Sequence, residues 1–89
     1  MIKLIRDYCI DGQAYDYALK LDTKKDDKDG KRVYSVIGYY GTVDGCIQGL
    51  YKVLCRKLVA EEVLTLKEAE KRFQDIANEL KAVMPDCFK

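Results

Sequence analysis

Four cysteines and several closely spaced aspartates and glutamates are the residues of this chain whose types could do chemistry, and no histidine accompanies them. Histidine is the commonest general base and completes most mixed zinc sites, so both chemistries lose their usual partner. Cys9, Cys46, Cys55 and Cys87 lie far apart with no Cys-x-x-Cys pair. That spacing argues against a metal site or a disulfide scaffold and reads as small apolar side chains kept reduced. Cys46 is the exception to test. It falls about one turn inside an expected helix N-terminus, where the dipole favours a thiolate, with Asp44 opposing that effect. No serine or threonine occupies a nucleophile motif, and Gly38, Gly41 and Gly45 lack the lysine and hydroxyl residue of a phosphate-binding loop. Asp26-Asp27 and Glu61-Glu62 fall in expected loops, where catalytic geometry is hard to hold. The run from Asp22 to Arg32 echoes a calcium loop at Asp27-x-Asp29-Gly30. Aligning Gly30 with that loop's glycine, however, puts Lys25 and Val36 where carboxylates are required. The chain reads as no enzyme, with no metal site and no cofactor.

The elements that position these residues follow from two periodicities. Up to Gly41 the apolar residues recur every second position, and beyond it they recur at helical spacing. A first strand is expected over 2–9, with Ile2, Leu4 and Tyr8 on one side and Arg6 interrupting. Asp11-Gly12 offers the turn into a second strand over 13–22. There Tyr15, Tyr17, Leu19 and Leu21 line one face, and Ala14, Asp16, Ala18 and Lys20 the other. A third strand over 32–40 places Tyr34, Val36 and Tyr40 on one side and Val33, Ile37 and Tyr39 on the other. Being apolar on both sides, it is expected in the centre of the sheet. Thr42 caps a helix over 43–59 whose apolar stripe is Val43, Cys46, Ile47, Leu50, Val53, Leu54 and Leu58. Thr65-x-x-Glu68 is a capping box opening a second helix over 66–84, with Leu66, Ala69, Phe73, Ile76, Ala77, Leu80, Val83 and Met84 inward. Pro85 stops it. Glu68 stands four residues before Arg72, a spacing that supports a helix. The expected fold is α+β, a three-stranded antiparallel β-meander followed by two α-helices packed on one face, in a single domain over residues 1–89. Leu50, Leu54, Phe73, Ile76 and Leu80 form its expected core.

Composition narrows the partners. Sixteen lysines and arginines against fifteen acids leave no global field to steer nucleic acid or anionic membranes. No apolar run approaches the roughly 20 residues of a membrane span, and Lys3, Arg6 and Asp7 break the first segment too early for a signal peptide. The cytoplasm is the expected compartment. Both helices cover one sheet face at most, so aromatics on the other face would remain as an apolar patch, the mark of a protein interface. Tyr34 and Tyr40 are the candidate contact residues there. A second candidate surface is the Gln48, Lys52, Arg56 stripe of the first helix, flanked by Gly45 and Gly49. A separate reading uses the sheet as a single-stranded nucleic-acid platform, with Tyr34 stacking bases beside Arg6, Lys20, Lys31 and Arg32.

The run Gly38-Tyr39-Tyr40-Gly41-Thr42-Val43-Asp44-Gly45, then Gln48-Gly49-Leu50, a basic stretch through Arg56-Lys57 and the second start Thr65-Leu66-Lys67-Glu68 carry a resemblance. This pattern resembles a family of small uncharacterised proteins from phages and prophages of Gram-positive bacteria. The likeness spans about residues 32 to 84. The chain departs from the pattern at Cys46, where alanine is expected, and at Gly45. The resemblance implies a mobile-element origin and no particular activity. With the apolar patch, it makes the expected function protein binding, the partner being a second copy of the chain or a host factor, including a defence component.

Overall fold

The computed structural model describes residues 1–84, so Pro85 and Cys87 lie outside the described residues. The fold is α+β, with an antiparallel sheet followed by two helices. The sheet has four strands where the sequence pattern suggested three. By its internal contacts the chain divides into two compact units, Met1–Cys46 and Ile47–Lys89.

The first unit holds β1 (Ile2–Lys3), β2 (Tyr8–Gly12), β3 (Tyr17–Asp26) and β4 (Arg32–Tyr40), followed by the opening turn of α1 (Val43–Glu61). The strands run as an antiparallel meander in the order β1-β2-β3-β4. The expected first strand is split because Arg6 and Asp7 both take left-handed backbone angles, φ 53° and 67°. The Tyr8 N–H donates to the Ile5 carbonyl at 3.0 Å and closes that turn. Two consecutive left-handed residues suit the right-handed twist of a hairpin, but Asn-Gly is the usual filling. Arg6, an interruption in the alternation, is therefore the corner itself.

Asp11-Gly12 is not a turn: both residues pair within the sheet, Asp11 with Ala18 and Gly12 with Tyr17. The chain reverses one step later, where the Gln13 N–H donates to the Asp16 carbonyl at 2.9 Å. Tyr15 stands on that reversal, fully in solvent rather than in a strand. The next connection closes at Asp27, whose Oδ1 accepts from the Asp29 and Lys31 N–H groups, each at 2.9 Å. Gly30 there takes φ 78°, a conformation that suits a residue without Cβ.

β4 is an edge strand, not a central one, because among the described residues it pairs with β3 alone. Two irregularities shape this pair. Thr23 and Lys24 are extra on β3 between Asp22 and Lys25, and Ile37 is extra on β4 between Val36 and Gly38. Residues opposite one another share a sheet face, and successive residues alternate. Tyr40 lies opposite Tyr17, on the face that carries Leu19 and Ile10. Tyr34 lies opposite Asp22, and Val36 opposite Lys20, on the other face. The bulge at Ile37 therefore puts Tyr34 and Tyr40 on opposite faces and brings Tyr39 to the side of Tyr34 and Val36.

The remainder of α1 and α2 (Leu66–Val83) make up the described part of the second unit. Both expected caps are present: Thr42 Oγ1 accepts from the Gly45 N–H at 2.9 Å and Thr65 Oγ1 from the Glu68 N–H at 3.2 Å. On α1, Cys46, Ile47, Leu50, Leu54 and Leu58 are buried, and on α2, Ala69, Ile76 and Leu80. Leu66 leaves the expected stripe at 77% exposure, Val83 is exposed, and Phe73 is half-buried. Leu66 is the first residue behind the Thr65 cap, where the phase of a stripe guarantees no neighbour. Arg72 pairs with Glu62 ahead of the helix through two bonds of 2.9 and 3.2 Å rather than with Glu68. A planar guanidinium fork matches a carboxylate two bonds at a time, which a helix-surface pair four residues apart rarely permits.

Candidate functional site

The two sheet faces differ in what they bury. One carries Tyr8, Ile10 and Leu19, all buried. The other buries only the small side chains Cys9 and Ala18 and otherwise bears Lys3, Asp11, Lys20 and Asp22. On that second face Lys20 Nζ meets Asp11 Oδ2 at 3.0 Å, which holds the Asp11 carboxyl below the usual carboxylate range. Arg32 reaches Asp22 at 3.4 Å and Asp26 at 3.5 Å.

β4 brings an apolar stripe to the same face. Tyr34 is half-buried, while Val36 and Tyr39 are 46% and 58% exposed. Val33, on the opposite face, is 39% exposed. Arg32 is the only charged residue among the nine of the strand. A cleft of about 240 Å³ opens beside Tyr34, lined also by Lys3, Asp7, Cys9, Asp22 and Lys24. Lys24 is left-handed at φ 59° and its ammonium lies 3.2 Å from Asp7 Oδ1, so an ion pair joins the strained turn to the strained bulge at the cleft rim.

Tyr40 belongs elsewhere. A Cβ on Gly38 would stand 3.2 Å from the Tyr40 ring, and one on Gly45 would stand 3.5 Å from Tyr40 Cβ and 3.1 Å from Thr42 Oγ1. Gly38 thus leaves the slot in which this ring lies, and Gly45 lets the helix start close to it. Tyr40 is a packing residue at the sheet-to-helix corner. Gln48, Lys52 and Arg56 are exposed at four-residue spacing along α1, as a charged helix face.

The basic residues of the nucleic-acid reading are dispersed and partly neutralised. Lys20 and Arg32 face carboxylates, Lys31 sits on the Asp27 turn, and Arg6 occupies the left-handed corner. A phosphate track needs cations available for counterion release, which pairs such as Lys20–Asp11 oppose.

Sequence spacing did not single out Tyr39, Lys3, Asp7 or Lys24. The available signal was Gly38, since a glycine inside a strand pattern marks a bulge or a close approach.

Cys46, at the helix start, is buried. Burial pushes the Cys46 thiol up, and the Asp16 carboxylate adds to it, so the helix N-terminus does not activate this residue. Burial likewise raises Cys9, with Asp22 contributing. In a Cys87→Ser background, a thiol reagent should modify half-buried Cys55 first, and Cys9 and Cys46 only on unfolding. Equal labelling rates for Cys46 and Cys55 would show that the first turn of α1 opens in the native protein. Among the described residues no group of three or more His, Cys, Asp or Glu is placed to hold a metal ion.

A different apolar surface occurs in the second unit. Val59, Val63, Leu64, Leu66 and Phe73 line a groove of about 520 Å³ where α1 passes to α2. Among the described residues no helix is long and apolar enough to cross a membrane. Comparison with protein-family models, with curated proteins and with solved structures finds no match to this chain.

Proposed function

We propose that this chain is a non-enzymatic protein-binding module that takes its partner along the free edge of β4 and the Tyr34, Val36, Tyr39 stripe beside it. One observation carries the reading: a nine-residue edge strand with a single charge and exposed valine and tyrosine side chains. Edge strands present unpaired N–H and C=O groups, and proteins usually shield them with charges, proline or short length. β4 has neither proline nor shortness, and its bulge at Ile37, itself a device that blunts edges, leaves Arg32–Val36 regular, whereas β1 at the opposite edge has only two residues. Strand addition supplies main-chain hydrogen bonds, and the alternating side chains supply selectivity. Tyrosine and arginine are also the residue types that most often dominate interface energetics. The resemblance to small phage and prophage proteins supports a host protein in the cytoplasm, including a defence component, as one class of partner.

The reading is tested by capture from host lysate on immobilised protein. Proteins retained by the wild type should be lost with Val36→Lys combined with Tyr39→Lys, two changes at exposed positions that leave the core intact. Charge reversal at Lys52 and Arg56 should leave capture unchanged. Equal capture by the β4 variant, or loss confined to the α1 variant, refutes the assignment.

A further inference from the structure

We infer that Asp29-Gly30 is a site of spontaneous covalent modification, at which the Gly30 nitrogen closes on the Asp29 side chain to a succinimide that water then opens to isoaspartate. The site lies in the connection between β3 and β4 and is independent of any partner at the β4 edge.

Glycine follows aspartate at three places, Asp11-Gly12, Asp29-Gly30 and Asp44-Gly45, and a residue without Cβ leaves its nitrogen least hindered. Ring closure brings the aspartate Cγ onto the next nitrogen and turns ψ away from the values of a helix or a strand. Asp11 is held in β2, where it pairs with Ala18 and its neighbour Gly12 with Tyr17. Its carboxylate also meets Lys20 at 3.0 Å, which favours the charged form that cannot lose its oxygen as water. Asp44 is held in the first turn of α1, and the Gly45 N–H donates to Thr42 Oγ1 at 2.9 Å. Asp29 lies outside both kinds of element, exposed in the reversal between Asp26 and Arg32. Its carboxylate has no partner among the described residues. The Gly30 N–H makes one exposed turn bond, to the Asp27 carbonyl at 3.1 Å. Opening that bond uncovers little buried surface and so costs far less than opening a strand or a helix.

The chemistry needs solvent water alone. The Gly30 nitrogen forms a bond to Asp29 Cγ, the Cγ–hydroxyl bond of the protonated carboxyl breaks, and the hydroxyl leaves as water with the amide proton. Water then adds to one of the imide carbonyls. At Cγ it regenerates aspartate. At the Asp29 main-chain carbonyl it breaks the bond to the Gly30 nitrogen, so the chain runs on through Cβ and Cγ and a free α-carboxylate is left. The turn thereby gains one main-chain atom between Asp27 and Lys31. It is closed by the Asp27 N–H donating to the Lys31 carbonyl at 2.7 Å and the Lys31 N–H donating to Asp27 Oδ1 at 2.9 Å. Arg32, the first residue of β4, follows directly and pairs with Asp26, so modification loosens this end of the β3–β4 pair.

The test is storage of the purified full chain at neutral pH and body temperature, sampled over weeks. An isoaspartyl methyltransferase moves a labelled methyl group from S-adenosylmethionine to the free α-carboxylate, so the label counts the product. Label should accumulate, and peptide mapping should place it at Asp29 in at least about tenfold excess over Asp11 and Asp44. A transient species one water lighter should precede it. Asp29→Glu keeps the charge and the turn N–H but would have to close a six-membered ring, which is far slower, so it should abolish that label. Storage in urea, where no element holds its aspartate, should bring the Asp-Gly pairs to similar rates. If Asp11 or Asp44 is labelled as fast as Asp29 in the native chain, or if Asp29→Glu leaves the label unchanged, the assignment is wrong. A native chain that takes up no label while the urea-stored chain does would show that the Asp27 turn locks Gly30, which also refutes it.

Discussion

Leu50→Ala should lower stability by about 2–5 kcal/mol, read from the midpoint of urea denaturation at unchanged slope. Leu50 is fully buried at the centre of the α1 stripe, so truncation removes transfer energy and leaves a cavity as well. A domain of this size holds about 5–15 kcal/mol in total, so the loss is a large share of it. The same experiment ranks the two helices. Half-buried Phe73 should lose about 1–2 kcal/mol as Phe73→Ala, below the range for a fully buried ring. Exposed Leu66 should lose no more than about 0.5 kcal/mol as Leu66→Ala. If Phe73→Ala proves as costly as Leu50→Ala, the α2 stripe is deeper in solution than its exposure indicates.

Gly38→Val should be the second severe change, costing about 1–3 kcal/mol, because even the Cβ at this position would stand 3.2 Å from the Tyr40 ring. Deletion of Ile37 should be milder. Ile37 is the extra residue between Val36 and Gly38, so its removal regularises the ladder and leaves Gly38, Tyr39 and Tyr40 opposite Leu19, Ala18 and Tyr17 on their present faces. Ile37→Val, which keeps the bulge, should cost no more than about 1.5 kcal/mol. Denaturation of the three variants side by side is decisive. A Gly38→Val protein within about 0.5 kcal/mol of wild type would mean that the Tyr40 ring leaves the Gly38 slot in solution.

These two cases show what was legible in the sequence. The helices were readable because caps and stripes are local: Thr42 and Thr65 accept the N–H groups their spacing implies, and Leu50, Leu54, Ile76 and Leu80 are all buried. The strand span from Arg32 to Tyr40 was readable for the same reason. The faces of that strand were not. Period two holds only while the ladder is regular, and one extra residue at Ile37 separated Tyr34 from Tyr40. The corner at Arg6-Asp7 was hidden because its left-handed angles are met by Arg6 and Asp7 in place of Asn-Gly, so no turn signal announced a fourth strand. Edge position was equally invisible, since apolar residues on both faces indicate burial in a central strand yet here accompany an open edge.

The unequal ends of the sheet also limit how far association can run. A meander with two long open edges would accept a neighbour on each side and grow into a fibre of stacked sheets. This one ends on a two-residue strand at β1 and a nine-residue strand at β4. Any strand added at β4 would cover the long edge and leave only the short one outward. Growth by strand addition would then stop there, because β1 offers a newcomer two residues.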